Sequence, residues 1–84
     1  MNKMKYIVFL GKDEIKYPVI FDELFDHNII AISINPNFYR PISAGFIQVY
    51  PNSENPISVF GESKTLQLKS NPDDVKLIQK RMGM

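Results

Sequence analysis

The run from Ser43 to Lys69 constrains the fold of this chain more than any other stretch, because its side chains alternate with a period of two over most of its length. It reads SAGFIQVY, then PNSENP, then ISVFGESKTLQLK. In the first arm Ala44, Phe46, Gln48 and Tyr50 fall on one face, with Gly45, Ile47 and Val49 on the other. In the return arm Ile57 and Val59 alternate with Ser58 and Phe60. After a break at Gly61, Leu66 and Leu68 alternate with Thr65, Gln67 and Lys69. Successive side chains of a strand point to opposite faces of a sheet, so this pattern predicts paired strands. The turn-prone residues between the two runs predict a hairpin loop.

The rest of the chain reads as material packed on that hairpin. Lys5 to Leu10 is apolar on both faces, with Ile7 and Phe9 on one and Tyr6, Val8 and Leu10 on the other. A strand covered on both sides is expected at the centre of its sheet. Gly11-Lys12-Asp13-Glu14 is a turn by composition. Ile15, Tyr17, Val19 and Phe21 then alternate with Lys16, Pro18 and Ile20, a second strand hairpinned to the first. Pro18 cannot donate to a ladder, which predicts an edge position. Asp22 sits where a helix N-cap would, before Glu23-Leu24-Phe25-Asp26. Residues 27–34 are rich in β-branched side chains, which favour a strand, yet their apolar positions also suit a short buried helix. A helix through about Ala31 with an extended tail is the expectation. Asn35 to Pro41, NPNFYRP, is a loop by its prolines and asparagines.

The last segment carries the fullest set of helix signals. Asn71 suits an N-cap, Pro72 the first helical position, and Asp73 and Asp74 the positive end of the dipole. Lys80 and Arg81 suit the negative end, and Gly83 a left-handed cap. Val75, Ile78 and Met82 share one face and are expected to be buried on the sheet.

Eighty-four residues make a single domain, 1–84, with a thin stability margin and no cysteine to staple it. Dimerisation is a remaining way to enlarge the core, and an antiparallel sheet leaves two edges on which to do so, so a homodimer is expected. The apolar run within MNKMKYIVFL is too short for an export signal, and no stretch approaches the roughly 20 apolar residues of a membrane span. A cytoplasmic chain without membrane association is expected. Net charge is +1. It is unevenly spread: residues 22–60 carry Arg40 alone against Asp22, Glu23, Asp26 and Glu54, while both ends are mildly basic.

No set of residues reads as catalytic. There is one histidine, and no serine stands in a strand-to-helix elbow. Within Asp22-Glu23-Leu24-Phe25-Asp26-His27, a helix would bring Glu23 and His27 to i, i+4 beside Asp26. Carboxylates gather at helix starts for capping alone, however, and no further ligand is in sight, so no metal and no cofactor are expected. The four glycines are scattered, with no phosphate loop. Two binding surfaces remain. Phe38, Tyr39 and Arg40, between prolines, have the composition of a protein-binding hot spot, since aromatic and guanidinium groups bury much area for little lost freedom. The alternative for those rings is closing one end of the core. Lys64, Lys69, Lys76, Lys80 and Arg81, with Tyr50 and Phe60, could instead form a basic strip with stacking rings for weak nucleic-acid binding.

The segments Pro41-Ile42-Ser43-Ala44-Gly45-Phe46, Gly61-Glu62-Ser63 and Leu66-Gln67-Leu68-Lys69-Ser70-Asn71-Pro72-Asp73-Asp74 resemble a set of small uncharacterised proteins encoded in bacteriophages and prophages. About half of the chain carries the likeness. It implies a mobile-element accessory protein and supplies no catalytic residue. The fold expected is α+β: an antiparallel sheet of four or five strands, with a C-terminal helix and a short helix after Asp22 on one face. The function expected is a non-enzymatic protein-interaction module with a protein partner.

Overall fold

The computed structural model describes residues 3–83. Four strands form an antiparallel sheet: β1 (Lys3–Gly11), β2 (Lys16–Asp22), β3 (Tyr39–Val49) and β4 (Ile57–Phe60), in the spatial order β2-β1-β3-β4. Two further short strands, β5 (Glu62–Ser63) and β6 (Leu68–Lys69), pair with each other in a separate ribbon. The helices are α1 (His27–Ile32) and α2 (Asp74–Arg81).

The doubly apolar β1 is central, and it separates two cores. Tyr6 and Val8 meet Ile47, Ile57 and Ile78 on one side, with Val75 and Leu77 of α2 closing over them. Ile7, Phe9 and Ala44 face the other side, under Ile30 and Ala31 of α1 and under Leu66 and Leu68 of the β5–β6 ribbon. The two helices therefore cover opposite faces, which corrects the expectation that both lie on one. Two apolar faces on one sheet require two covers, and neither six- nor eight-residue helix is long enough to supply both.

The hairpin of β3 and β4 forms, but its return arm is short. Gly61 takes φ 77°, a left-handed conformation that glycine adopts without strain, and the chain leaves the sheet there. Its Leu66–Leu68 alternation is not a continuing strand. Residues 64–67 turn, with Gln67 at φ 56°, so that both leucines reach the second core. At the other end β3 begins at Tyr39, inside the segment expected as loop. Pro41 is tolerated there because β3 carries a bulge: Ser43 pairs with Val8 and Pro41 with Phe9, leaving Ile42 as the extra residue.

Asp22 ends β2 instead of capping a helix. Its Oδ1 accepts from the Leu24 N–H at 2.8 Å in a local turn, and α1 starts only at His27. Regular α2 starts at Asp74, but the capping chemistry read from Asn71 is present: Asn71 Oδ1 accepts from Asp73 N–H at 3.0 Å, and Asp74 Oδ2 accepts from Asn71 N–H at 3.1 Å. Gly83 is left-handed, at φ 77°. Ile78 is fully buried and Val75 partly, whereas Met82 is exposed and Leu77 takes its place against the sheet. Met82 lies beyond the last helical residue, where the helix no longer follows the sheet surface.

Candidate functional site: an aromatic cleft beside the first turn

β3 carries residues 39 and 49 at opposite ends, so the NPNFYRP and PNSENP segments are separated by the length of the strand. The first of these meets the β1–β2 turn. Gly11 N–H donates to Ile15 O at 2.9 Å, and Glu14 closes the turn at φ 65°. Lys12 N–H donates to Phe38 O at 2.9 Å, joining the turn to the loop. The loop is itself tied by Asn35: its carbonyl accepts from the N–H groups of Phe38 and Tyr39, and its Oδ1 from that of Asn37.

Asp13 organises the aromatic side of this turn. Its Oδ1 accepts from Ile15 N–H at 3.0 Å and its Oδ2 from the Tyr17 hydroxyl at 2.6 Å. The Tyr17 bond, and then the Ile15 amide, hold the Asp13 carboxyl below its ordinary range. The same bond raises the Tyr17 phenol. Tyr17 then meets Tyr39 edge to face, ring centroids 5.6 Å apart and planes at 87°. The two tyrosines form one wall of a cleft of about 360 Å³ whose remaining lining is Phe9, Pro18, Val19, Ile34 and Arg81. A floor of rings and aliphatic groups with one guanidinium at its margin suits an apolar side chain from a peptide, with an acceptor nearby.

The three expected protein-binding residues thus part company. Tyr39 lines the cleft of about 360 Å³. Phe38, half exposed, stands beside it, with Lys12 Nζ 5.6 Å from its ring centroid. Arg40 is exposed on β3 opposite Leu10 and borders a smaller recess with Phe38 and Pro36. The sequence does not mark Tyr17 or Ile34 as site residues, and it places Arg81 in the basic strip and not at this cleft. Tyr17 had a signal, since a three-residue turn after Gly11 sets it opposite Phe9. Arg81 had none, because only the crossing of α2 brings it there.

The five basic candidates are not brought together. Lys64 and Lys69 belong to the β5–β6 ribbon on the α1-covered face, while Lys76, Lys80 and Arg81 belong to α2 on the opposite face. Tyr50 and Phe60 are exposed, but Phe60 stacks on Phe46 at 5.6 Å with Lys3 Nζ 6.0 Å from its ring centroid. A second apolar surface appears on the outside of α1 and the turn before it, where Leu24, Phe25, Ile29 and Ile32 are exposed.

The acidic segment does not assemble around His27. Glu23 and Asp26 precede the helix and are exposed, whereas His27 is buried and its Nε2–H donates to Gly45 O at 2.9 Å. Among the described residues no three histidine, cysteine or carboxylate side chains converge on a metal site. Ser63 is buried with its hydroxyl against Thr65 Oγ1 and the Leu66 N–H, both local turn bonds. No helix among the described residues is long and apolar enough to cross a membrane. Compared with known proteins, the chain matches no family model, no curated protein and no solved structure.

Proposed function

We propose that this chain is a non-enzymatic protein-interaction module whose aromatic end, Tyr17 and Tyr39 with Phe38 and Arg40 beside them, takes an apolar side chain from a partner protein. The observation that carries the reading is the cleft of about 360 Å³ walled by the Tyr17–Tyr39 pair. Anchoring Tyr17 to Asp13 and tying the loop through Asn35 hold the rings before any partner arrives, which lowers the ordering cost of binding. The resemblance to phage and prophage proteins supplies a setting, that of an accessory modulator of a host or phage protein. Nucleic-acid binding has less support, because the basic residues split between two faces.

Selection of peptides from a random displayed library against the chain tests this. The expected peptides carry an aromatic or large aliphatic anchor and shift the NMR resonances of Tyr17, Ile34 and Tyr39. Replacing Tyr39→Ala together with Arg40→Ala is expected to weaken them at least about thirtyfold, the scale of a lost hot spot, with the melting temperature little changed. Selected peptides that map elsewhere, or a collapse of the fold in the double variant, would overturn the reading.

A further inference from the structure

Among the described residues no strand pairs with the outer edge of β2. Order β2-β1-β3-β4 leaves its far side open. Because Gly11 N–H bonds Ile15 O, strict alternation makes Phe9/Tyr17, Ile7/Val19 and Lys5/Phe21 the hydrogen-bonded pairs of β1 and β2. Lys16, Pro18, Ile20 and Asp22 therefore turn their backbone polar groups outward. Pro18 falls where no donor is needed by β1, which explains its place in the strand.

We infer that this edge pairs with the same edge of a second copy of the chain, antiparallel and centred on Val19, to make one continuous sheet. The strand KYPVIFD is self-complementary in that register alone. It sets Lys16 opposite Asp22 of the other copy, Tyr17 opposite Phe21, and Val19 opposite Val19. Registers shifted by one residue at the centre place Pro18 against Pro18 or Ile20 against Ile20 and lose the charge match. Outward groups meet outward groups, so the new ladder forms at positions 16, 18, 20 and 22. Pro18 removes one donor per copy, and the Asp22 carbonyl, which already accepts from the Phe25 N–H at 3.1 Å, takes the Lys16 N–H of the other copy as a second donor.

Charge complementarity extends beyond the strand. The end of α2 lies against the Lys16 end of β2, where Lys16, Lys80 and Arg81 border one cleft with a single carboxylate, Glu14. The other end of β2 carries Asp22 and Glu23, both exposed, with Lys3 of β1 bordering the same recess. The two-fold axis brings each basic end to the acidic end of the other copy, twice. The edge shares Tyr17, Pro18, Val19 and Arg81 with the lining of the peptide cleft, so peptide binding is followed separately, at Ile34 and Tyr39.

The chain has no cysteine, so one introduced thiol can bridge only to another copy. Val19→Cys sits at a non-hydrogen-bonded position on the axis, where the two residues approach within disulfide reach. It is expected to cross-link under mild oxidation, whereas Tyr17→Cys and Phe21→Cys, displaced from the axis, are not. Lys16→Asp sets like charges opposite each other and is expected to weaken the dimer about tenfold by sedimentation equilibrium, and the double variant Lys16→Asp with Asp22→Lys to restore it. Equal cross-linking at all three positions, a monomer at high micromolar concentration, or no recovery in a folded double variant would overturn the proposal.

Discussion

The Tyr6 hydroxyl donates to Asp74 Oδ2 at 2.7 Å, tying the centre of β1 to the first turn of α2 across 68 residues of chain. Both groups are buried, and the same carboxylate oxygen accepts from Asn71 N–H. One side chain thus joins the sheet, the helix start and the chain leading into it. Burial, and then the bond to Asp74, push the Tyr6 phenol far above its ordinary value. Tyr6→Phe leaves the buried carboxylate short of a donor and is expected to cost about 1–3 kcal/mol in urea unfolding. The sign of the pH effect follows from the raised value. The unfolded chain loses this proton above about pH 10 while the folded chain keeps it, so stability present below pH 10 is lost as pH rises past it. The parent is expected to lose more stability than Tyr6→Phe between pH 9 and 11.

Ile78 is fully buried between α2 and the sheet, whereas Met82 is exposed. Ile78→Ala is expected to destabilise by about 2–4 kcal/mol. Met82→Ala, beyond the helix, is expected to stay within about 0.5 kcal/mol. Thermal melts of the two variants decide whether α2 docks through this residue.

What was legible in the residues is what a short window determines. Ile7 and Phe9 against Tyr6 and Val8 require two covered faces, which put β1 at the centre. Pro18 marks an edge, and Gly83 marks a helix end. What was not legible depends on partners distant in sequence. Gly61 reads as a break, but only its packing against the Phe46 ring shows that the chain turns out of the sheet there. Pro41 reads as loop, and the bulge opposite Val8 and Phe9 makes it strand. Asp22 has the composition of an N-cap, and the Leu24 amide takes its carboxylate for a different turn. Of the site, Phe38 and Tyr39 stood out by composition. Arg81 comes to Tyr17 only through the crossing of α2.

Gly45 holds a place where backbone and side chain pass too closely for a side chain of its own. A Cβ there would lie 2.6 Å from Phe60 O and 3.0 Å from Ser70 Cβ. The Phe60 carbonyl belongs to the end of β4 and cannot swing aside like a side-chain tip. Gly45→Ala is expected to cost about 1–3 kcal/mol by overpacking. At Gly83 a Cβ would meet nothing within 4 Å, so Gly83→Ala carries only its φ of 77° and is expected to cost about 1 kcal/mol. Chemical denaturation of both variants separates steric from conformational cost.

His27 is a titratable group placed where its charged form is unwelcome. Its Nε2–H is held by Gly45 O, and its ring meets Phe21 and Phe46 edge to face at 5.5 and 5.6 Å. Burial, the largest cause, lowers its pKa, and Lys5 adds to this. The Gly45 carbonyl and Asp26 act the other way without reversing it. The folded state therefore binds the proton less readily than the unfolded chain, whose histidine titrates near pH 6.5. Stability from this residue is complete above that pH and falls as pH drops through the window below it. Carboxylates titrate at still lower pH, so the comparison that isolates His27 is with His27→Gln, which retains an N–H donor for Gly45. The parent is expected to lose more of its melting temperature than the variant between pH 7 and 5. In an NMR titration the His27 ring protons should shift with a midpoint below 6.5. A midpoint at or above that value would mean that water or Asp26 stabilises the imidazolium, and that α1 does not seal this face of the sheet.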